Sequence, residues 1–270
     1  MTTRLPFRSL WLIPPLLFCI ASGQPANGQQ RSQLLPIANA PLRTEQIVEN
    51  LVKRNLERVE ALHAYVGTRI YQLEYRGFPG GRSAEMVVDV TYEWPGTKEF
   101  TIRSATGSKL IIDKVFKKLL QAEKEAQATE AQRNTALNGD NYKFTLVGYE
   151  STPSGLMYVL GVEPKTKDQF LYQGRIWVDA GDFAVARLEA EPAKNPSFWT
   201  KNNEIEQVYM KVNEFWLPAR NHSISQIRLG GTAELTIRYS NYQIMSKEQL
   251  SNLSALESAR RKVPVAPNAE

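Results

Sequence analysis

Hydrophobic and polar residues alternate with a period of two along most of the chain, which is typical of half-buried β-strands. In one example, alternating residues on both sides of the turn Asp179-Ala180-Gly181-Asp182 predict a β-hairpin. No helix regularly separates such runs, so the sheet should be antiparallel. We predict ten or eleven strands, at 64–76, 84–94, 98–103, 142–150, 156–163, 170–179, 183–191, 204–212, 215–217, 219–229 and 232–242.

Two segments change to the helical period. Residues 45–62 place their apolar side chains on one side, with Thr44 as a suitable N-cap. Residues 110–133 contain no Gly or Pro, and their apolar residues end near Leu120, so we expect the second half to be solvated. The predicted fold class is therefore α+β but mainly β: a large curved antiparallel sheet, an unclosed half-barrel, covered by two or more helices.

Several predicted strands carry large apolar residues on both faces, and a single sheet of this length must curl or be covered. Two helices cover only part of it. The concave face is then either filled by its own side chains or left as an apolar ligand cavity. Candidates for the wall or mouth of such a cavity, with core packing as the alternative, are Tyr71, Val88, Tyr92, Phe116, Trp177, Phe198, Trp199 and Trp216.

The N-terminus has the pattern of a signal peptide. Arg4 and Arg8 precede a short apolar run at 10–21 that Pro14-Pro15 interrupts, so a spanning helix is disfavoured. We predict a signal peptide over 1–28, with a retained membrane anchor as the alternative. The bulky Phe18 before Cys19 argues against lipidation. The predicted organisation continues with a mobile leader at 29–43, a single domain at 44–246 and a disordered tail at 247–270.

Charge and motifs exclude several function classes. The formal net charge of +5 is scattered along the chain, which is not the basic patch of a nucleic-acid-binding protein. His63 and His222 are the only histidines, and Cys19 lies within the predicted signal peptide, so no metal-ligand spacing is present. Phosphate-binding loops and a G-x-S-x-G motif are absent from the sequence. We predict a non-enzymatic protein without cofactor or metal; a pair of catalytic carboxylates is left open but nothing favours it.

Short motifs in the second half carry a family resemblance. After the predicted helix 45–62 and a Tyr-rich strand come YVLGVEPK (158–165), GRIWVDAGDFAVARLEAE (174–191) and EFWLPA (214–219). In this order they resemble the outer-membrane lipoprotein-sorting proteins, a family within the bacterial carrier superfamily that includes LolA, LolB and the N-terminal domain of the RseB regulators.

The resemblance implies an unclosed barrel around an apolar cavity, in the periplasm of a Gram-negative bacterium. It implies a carrier or binding protein for lipoprotein acyl chains or other lipids. The alternative that it implies is a periplasmic sensor or scaffold domain that binds a protein partner, either a membrane or a periplasmic protein. An apolar void between the sheet and the helices would favour the carrier, and a packed interior would favour the scaffold.

Overall fold

The structure is a computed structural model of the chain. It describes residues 34, 42–125, 136–153, 155–168, 170–194, 200–228, 230–246, 248–249 and 252. The predicted signal peptide, most of the predicted leader and most of the predicted tail lie outside the described residues, and the predicted extent of the single domain stays a prediction.

Within the described ranges, ten strands form one continuous antiparallel sheet. Its spatial order is β3-β2-β1-β10-β9-β8-β7-β6-β5-β4, and β3 and β4 are the two edges, so the sheet is not closed. The fold class predicted from the sequence is confirmed. The strands are β1 (Ala64–Arg76), β2 (Arg82–Glu93), β3 (Thr97–Gly107), β4 (Tyr142–Thr152), β5 (Gly155–Pro164), β6 (Tyr172–Asp179), β7 (Val185–Pro192), β8 (Thr200–Val212), β9 (Phe215–Ile227) and β10 (Thr232–Met245).

Helix α1 (Thr44–Ala61) precedes the sheet and buries residues spaced four apart, which form one stripe. Arg43, not the predicted Thr44, is its N-cap, and the Gln46 side chain accepts a hydrogen bond from the Arg43 N–H at 3.0 Å. Thr44 is instead the first helical residue. Its hydroxyl accepts a hydrogen bond from the Leu146 N–H at 3.3 Å, which joins the start of α1 to β4.

A second helical segment follows β3. It comprises α2 (Lys109–Ile111), a π-helical turn (Ile112–Phe116) and α3 (Lys117–Glu125). The remainder of the predicted helix 110–133 lies outside the described residues. A π-helical turn shifts the angular position of the residues that follow it. The segment buries six apolar side chains, Ile111, Ile112, Val115, Phe116, Leu119 and Leu120.

Both helical segments cover the same face of the sheet. Directly opposed residues trace one row across that face from β2 to β4, and the row is apolar except at its centre, on β8 and β9. From one side to the other it contains Met86, Tyr71, Ile237, Asn221, Gln207, Leu188, Ile176, Leu160 and Leu146.

This polar centre separates two apolar clusters. The first cluster joins the segment 109–125 to β1, β2 and β10, for example through Phe116, Tyr71 and Leu235. The second joins α1 to β4–β8, for example through Leu51 and Ile176. Each helical segment thus packs over one half of the sheet, and the space between them lies over its middle.

Two separately predicted strands, 215–217 and 219–229, are one strand in the structure. Pro218 lies inside it, opposite Tyr209, and the register shifts next to this pair, between Val208 and Tyr209. A β-bulge accommodates proline within a strand because no ladder hydrogen bond is needed there. The prediction of two separate strands, 215–217 and 219–229, was therefore wrong.

Candidate binding cleft between the helices

A cleft of about 80 Å³ lies over the middle of the covered face, between α1 and α3. Its walls are largely apolar and aromatic, and they come from α1, β8 and β9. The main wall residues are Val59, Leu62, Tyr209, Phe215, Trp216 and Leu217. Its charged side consists of Arg69 from β1, Lys98 from β3 and Glu123 from α3.

These three charged residues form a buried ion cluster. Arg69 donates to both carboxylate oxygens of Glu123, with Nη1 2.6 Å from Oε2 and Nη2 3.0 Å from Oε1. Lys98 Nζ donates to Oε1 at 2.7 Å. Arg69 is 5% exposed and Glu123 is 2% exposed. The cluster holds α3 against the sheet through a bidentate, charge-assisted contact.

Aromatic side chains surround the Arg69 guanidinium. Its Cζ atom lies 5.1 Å from the centre of the Tyr239 ring and 5.4 Å from that of Phe100. Its Nη1 also donates to the Tyr71 hydroxyl at 3.2 Å. Rings at this distance attract the cation and keep water away from it. The Arg69–Glu123 contact therefore lies in a region of low polarity, where electrostatic interactions are strong.

The protonation of Glu123 follows from this setting. Burial alone raises the pKa of a carboxyl group, but the attraction of Arg69 and Lys98 outweighs it and lowers the pKa of Glu123 to about 2. Burial raises the pKa of Tyr71, so its hydroxyl stays neutral. At neutral pH the cluster therefore contains two cations and one carboxylate.

The mouth of the cleft is fixed by the turn between β6 and β7. Asp182 Oδ2 accepts hydrogen bonds from Trp216 Nε1 at 2.8 Å and from Lys211 Nζ at 2.7 Å. Arg58 of α1 donates to the backbone carbonyls of Asp182 at 2.8 Å and Phe183 at 3.0 Å. The turn therefore connects α1 to β9 and orients Trp216 at the cleft.

Asp179 has a different role in the same turn. Its Oδ1 accepts hydrogen bonds from the backbone N–H groups of Gly181 at 3.0 Å and Asp182 at 2.7 Å. This is an Asx-type turn. The structure accounts for both aspartates through contacts that shape the turn and the mouth.

The polar centre of the sheet adjoins the cleft. Gln207, which lines the cleft, accepts a hydrogen bond from Asn221 Nδ2 at 2.8 Å and donates to the Arg220 carbonyl at 3.1 Å. Within the described part of the chain, Asn221 Oδ1 and Ser223 Oγ are buried without a hydrogen-bond partner. Buried polar atoms of this kind are uncommon, and they mark the middle of the sheet as unlike the two apolar clusters.

The predicted cavity residues lie in different places. Tyr71, Val88, Tyr92 and Phe116 are at most 1% exposed and belong to the first apolar cluster, behind the cleft. Trp216 lines the cleft. Phe198 and Trp199 lie outside the described residues. Contact of any of them with a ligand stays a prediction.

Trp177 lies on the opposite face of the sheet from the cleft. Its neighbour Ile176 faces α1, so strand alternation turns Trp177 outwards, into a small cluster with Met157 and Val159. Its Nε1 donates to Glu150 Oε2 at 2.8 Å. Of the predicted cavity residues that the structure describes, it thus brings together the four of the first cluster.

The ion cluster was not among the predicted site residues. Glu123 falls in the half of the helix that we expected to be solvated. For Glu123 this expectation was wrong, because this residue lies four residues after Leu119, on the buried side of α3. One pattern could have revealed the cluster. Arg69 shares a strand face with Tyr65, Tyr71 and Leu73, and an arginine on an apolar face needs a buried partner.

Comparison with known proteins finds distant structural likenesses. No family model matches it, and no curated protein matches it. Solved structures similar to it include a DUF1329 family protein from Desulfovibrio piger (12% identity, TM-score 0.36, 75% of this chain and 93% of that one). A second is a structure described as an outer membrane lipoprotein-sorting protein domain from Vibrio parahaemolyticus (11% identity, TM-score 0.35, 78% of this chain and 98% of that one). A third is a LolA superfamily protein from Nitrosomonas europaea (11% identity, TM-score 0.32, 76% of this chain and 94% of that one). All three TM-scores lie below 0.5 and all three identities lie below 25%, so these likenesses assign no role to the chain.

Two further observations concern the described residues alone. No helix among them combines the length and the apolar character that crossing a membrane requires. Their His, Cys, Asp and Glu side chains form no group of three or more suited to a metal ion.

Proposed function

We propose that this protein is a non-catalytic periplasmic carrier or binding protein for a lipid, and that an acyl chain enters the cleft between α1 and α3. The observation that supports this most is the position of the cleft. It is walled by apolar and aromatic side chains, and it opens between two helical segments that pack over separate halves of the sheet.

The cleft must widen to accept such a ligand. Ligand pockets usually have volumes of roughly 300–1,000 Å³, and the present volume is about 80 Å³. Helix α3 is the element that would move. Leu119, Leu120 and the Glu123 contact hold it to the sheet, and these interactions would be lost. Its displacement would expose the first apolar cluster, which includes Tyr71 and Val88.

The free energy that displacement of α3 costs and the free energy that burial of an acyl chain contributes are of comparable size. Exposing two leucine side chains costs about 5 kcal/mol, and breaking a buried ion pair costs about 3–5 kcal/mol. Burying an acyl chain of about sixteen carbons contributes on the order of ten kcal/mol. A long chain can therefore offset the displacement of α3, whereas a chain of about eight carbons contributes only about 6 kcal/mol and cannot.

The packed interior favours a second candidate, a scaffold domain that binds a protein partner. Four of the predicted cavity residues belong to the first apolar cluster and are at most 1% exposed. A scaffold needs no internal void, and it would keep the first apolar cluster closed. Ligand binding is the property that separates the two candidates.

The test is binding of lipid by the purified protein. Protein secreted into a bacterial periplasm and purified without detergent would be examined by native mass spectrometry, and then titrated with a fluorescent long-chain fatty acid. We expect co-purified lipid and saturable binding. Trp216→Ala should change the affinity at least about fivefold, because this side chain lines the cleft.

Trp94→Ala is the matched control, since Trp94 is a 42% exposed tryptophan in the turn between β2 and β3. It should bind the probe as the unmodified protein does. Absence of both co-purified lipid and probe binding would contradict the carrier. Recovery of one specific periplasmic protein by crosslinking, together with that absence, would support the scaffold.

A further inference from the structure

The polar centre of the sheet indicates which head group the proposed lipid carries, so this inference rests on the proposed function. The centre consists of five buried polar side chains on β8 and β9: Asn203, Gln207, Asn221, Ser223 and Ser225. We infer that the ligand has an uncharged head with a hydroxyl or amide N–H donor, and that this donor binds Asn221 Oδ1 and Ser223 Oγ beside the cleft.

The first support is a buried acceptor whose orientation is fixed by the neighbouring contacts. Gln207 Nε2 donates to the backbone carbonyls of Val208 and Arg220, both at 3.1 Å. Its Oε1 atom is thereby turned towards Asn221, whose Nδ2 donates to it at 2.8 Å. The carbonyl end of the Asn221 side chain is the end left over, and among the described residues Oδ1 has no hydrogen-bond partner. A carbonyl oxygen in this position needs a donor.

The second support is a hydroxyl group on the same face of the same strand. Ser223 follows Asn221 by two residues, and its Oγ atom is likewise buried without a hydrogen-bond partner in the described part of the chain. The two side chains belong to residues that are 0% and 2% exposed. Ser225 differs, because its Oγ donates to Asn203 Oδ1. Two neighbouring buried polar atoms without partners are unfavourable, and a ligand that donates to them removes this cost.

The third support is the position of these two side chains between the cleft and the first apolar cluster. Asn221 lies directly opposite Gln207, which lines the cleft, and on its other side opposite Ile237. Ser223 is opposed by Leu235. Ile237 and Leu235 both belong to the first apolar cluster. A head group at Asn221 therefore places the attached tail beside the apolar side chains that displacement of α3 would expose.

The head group should be uncharged because the five side chains of the polar centre are all neutral. A carboxylate or a phosphate at this position would bring negative oxygens against the carbonyl oxygen of Asn221. An ammonium group would donate to this oxygen, but a buried charge needs a counter-charge, and none of the five residues supplies one. Hydroxyl and amide N–H groups donate without a charge.

The experiment compares ligands that share a sixteen-carbon acyl chain and differ in the donor. Palmitamide is paired with N,N-dimethylpalmitamide, which keeps the amide oxygen but has no N–H group. The second pair is 1-monopalmitoylglycerol and methyl palmitate, which has no hydroxyl group. Each would displace a bound fluorescent fatty acid from the purified protein. We expect the donor-bearing member of at least one pair to bind at least about fivefold more tightly than its partner. Preference within the amide pair alone would assign the site to an amide, and preference within the ester pair alone would assign it to a hydroxyl group.

Two serine variants separate recognition of the donor from a structural role. Ser223→Ala removes a hydroxyl that has no partner among the described residues. It should reduce the preference for the donor-bearing ligand at least about threefold, and the melting temperature should stay unchanged or rise. Ser225→Ala is the matched control on the same strand face. It removes the hydrogen bond to Asn203, so it should lower the melting temperature and leave the preference within about twofold.

A third variant tests the acceptor itself. Asn221→Leu has a similar volume and no polar atom, so the two members of each pair should then bind within about twofold of each other. Equal affinities within both pairs in the unmodified protein, or a preference that persists in both Ser223→Ala and Asn221→Leu, would overturn the inference and leave lipid binding intact. Absence of both probe binding and co-purified lipid would contradict the proposed function, and this inference with it. Should Asn221→Leu not fold, Ser223→Ala and the two ligand pairs still decide the question.

Discussion

Acid should destabilise this protein through Glu123. The pKa of this carboxyl group is about 2 in the folded chain, against an ordinary value of 4.5. A carboxyl group with a lowered folded-state pKa stabilises the protein above its unfolded-state pKa, and this stabilisation is lost as the pH falls towards the folded-state pKa. The window is therefore pH 4.5 to about 2. Across it, the contribution of Glu123 amounts to about 3 kcal/mol, of which about 2 kcal/mol is lost by pH 3.

The groups that face Glu123 keep their charge in this window. Arg69 and Lys98 contact it from the sheet and remain cationic in acid, and the nearby Tyr71 and Tyr239 remain neutral because burial raises the pKa of each. Protonation of Glu123 is thus the only change within the cluster. It removes the negative charge that both Arg69 and Lys98 contact, which weakens the attachment of α3.

Urea denaturation followed by circular dichroism, at a series of pH values from 7 to 2.5, measures this effect. Glu123→Gln should lower the free energy of unfolding by about 3 kcal/mol at pH 7. The difference from the unmodified protein should shrink to about 1 kcal/mol by pH 3, since the Glu123 carboxyl group is then protonated in the unfolded chain and has to lose this proton on folding. Glu57→Gln, at an exposed ion pair, controls for the general effect of acid. Parallel loss of stability in Glu123→Gln and in the unmodified protein would refute this account of the cluster.

Three other predictions concern the mouth, the ligand and the sheet. Arg58→Met should lower the free energy of unfolding by about 2 kcal/mol, because it removes the hydrogen bonds from α1 to the β6–β7 turn. Thermal melting measures this loss, and Arg54→Met, at an exposed position, is the control. Octanoate should bind at least roughly 100-fold more weakly than palmitate, since its tail buries about eight fewer methylene groups; equal affinities in calorimetry would contradict entry of the tail into the first apolar cluster. Gly174→Ala should destabilise the protein by more than about 2 kcal/mol, because φ is +155° and a Cβ atom would lie 2.2 Å from the Glu189 carbonyl oxygen. Gly139→Ala, whose Cβ atom would meet open space, should leave the melting temperature unchanged.

Most of the fold could be predicted from the sequence because alternation with turn residues is a local property. The hairpin around Asp179 and Asp182, for example, needs only its own residues to be recognised. Pro218 could not be placed this way. Whether proline interrupts a strand depends on the register of the neighbouring strand, and here a bulge opposite Tyr209 accommodates it.

The candidate site was harder to predict because it depends on contacts between distant segments. Arg69 and Glu123 are 54 residues apart in the chain, and neither residue alone indicates the other. The residues predicted for the site were mainly aromatic instead. Of the predicted tryptophans in the described ranges, Trp216 lines the cleft, whereas Trp177 packs on the other face of the sheet. Period-two alternation tells which residues share a face, but it does not tell which face the helices cover.

In the proposed function, the separation of the two apolar clusters would allow a lipid to enter without loss of the whole fold. Gln207 and Asn221 interrupt the apolar row between the two halves of the sheet, so the packing of α3 on β1–β3 and β10 is distinct from that of α1 on β4–β8. Because separately packed units of a protein can open with different free energies, α3 can leave the sheet while the α1 half stays closed. A continuous apolar core would instead couple the two helices, and displacement of α3 would expose both clusters at once. The polar centre of the sheet is therefore the feature that would reconcile a packed interior with the proposed acyl-chain ligand.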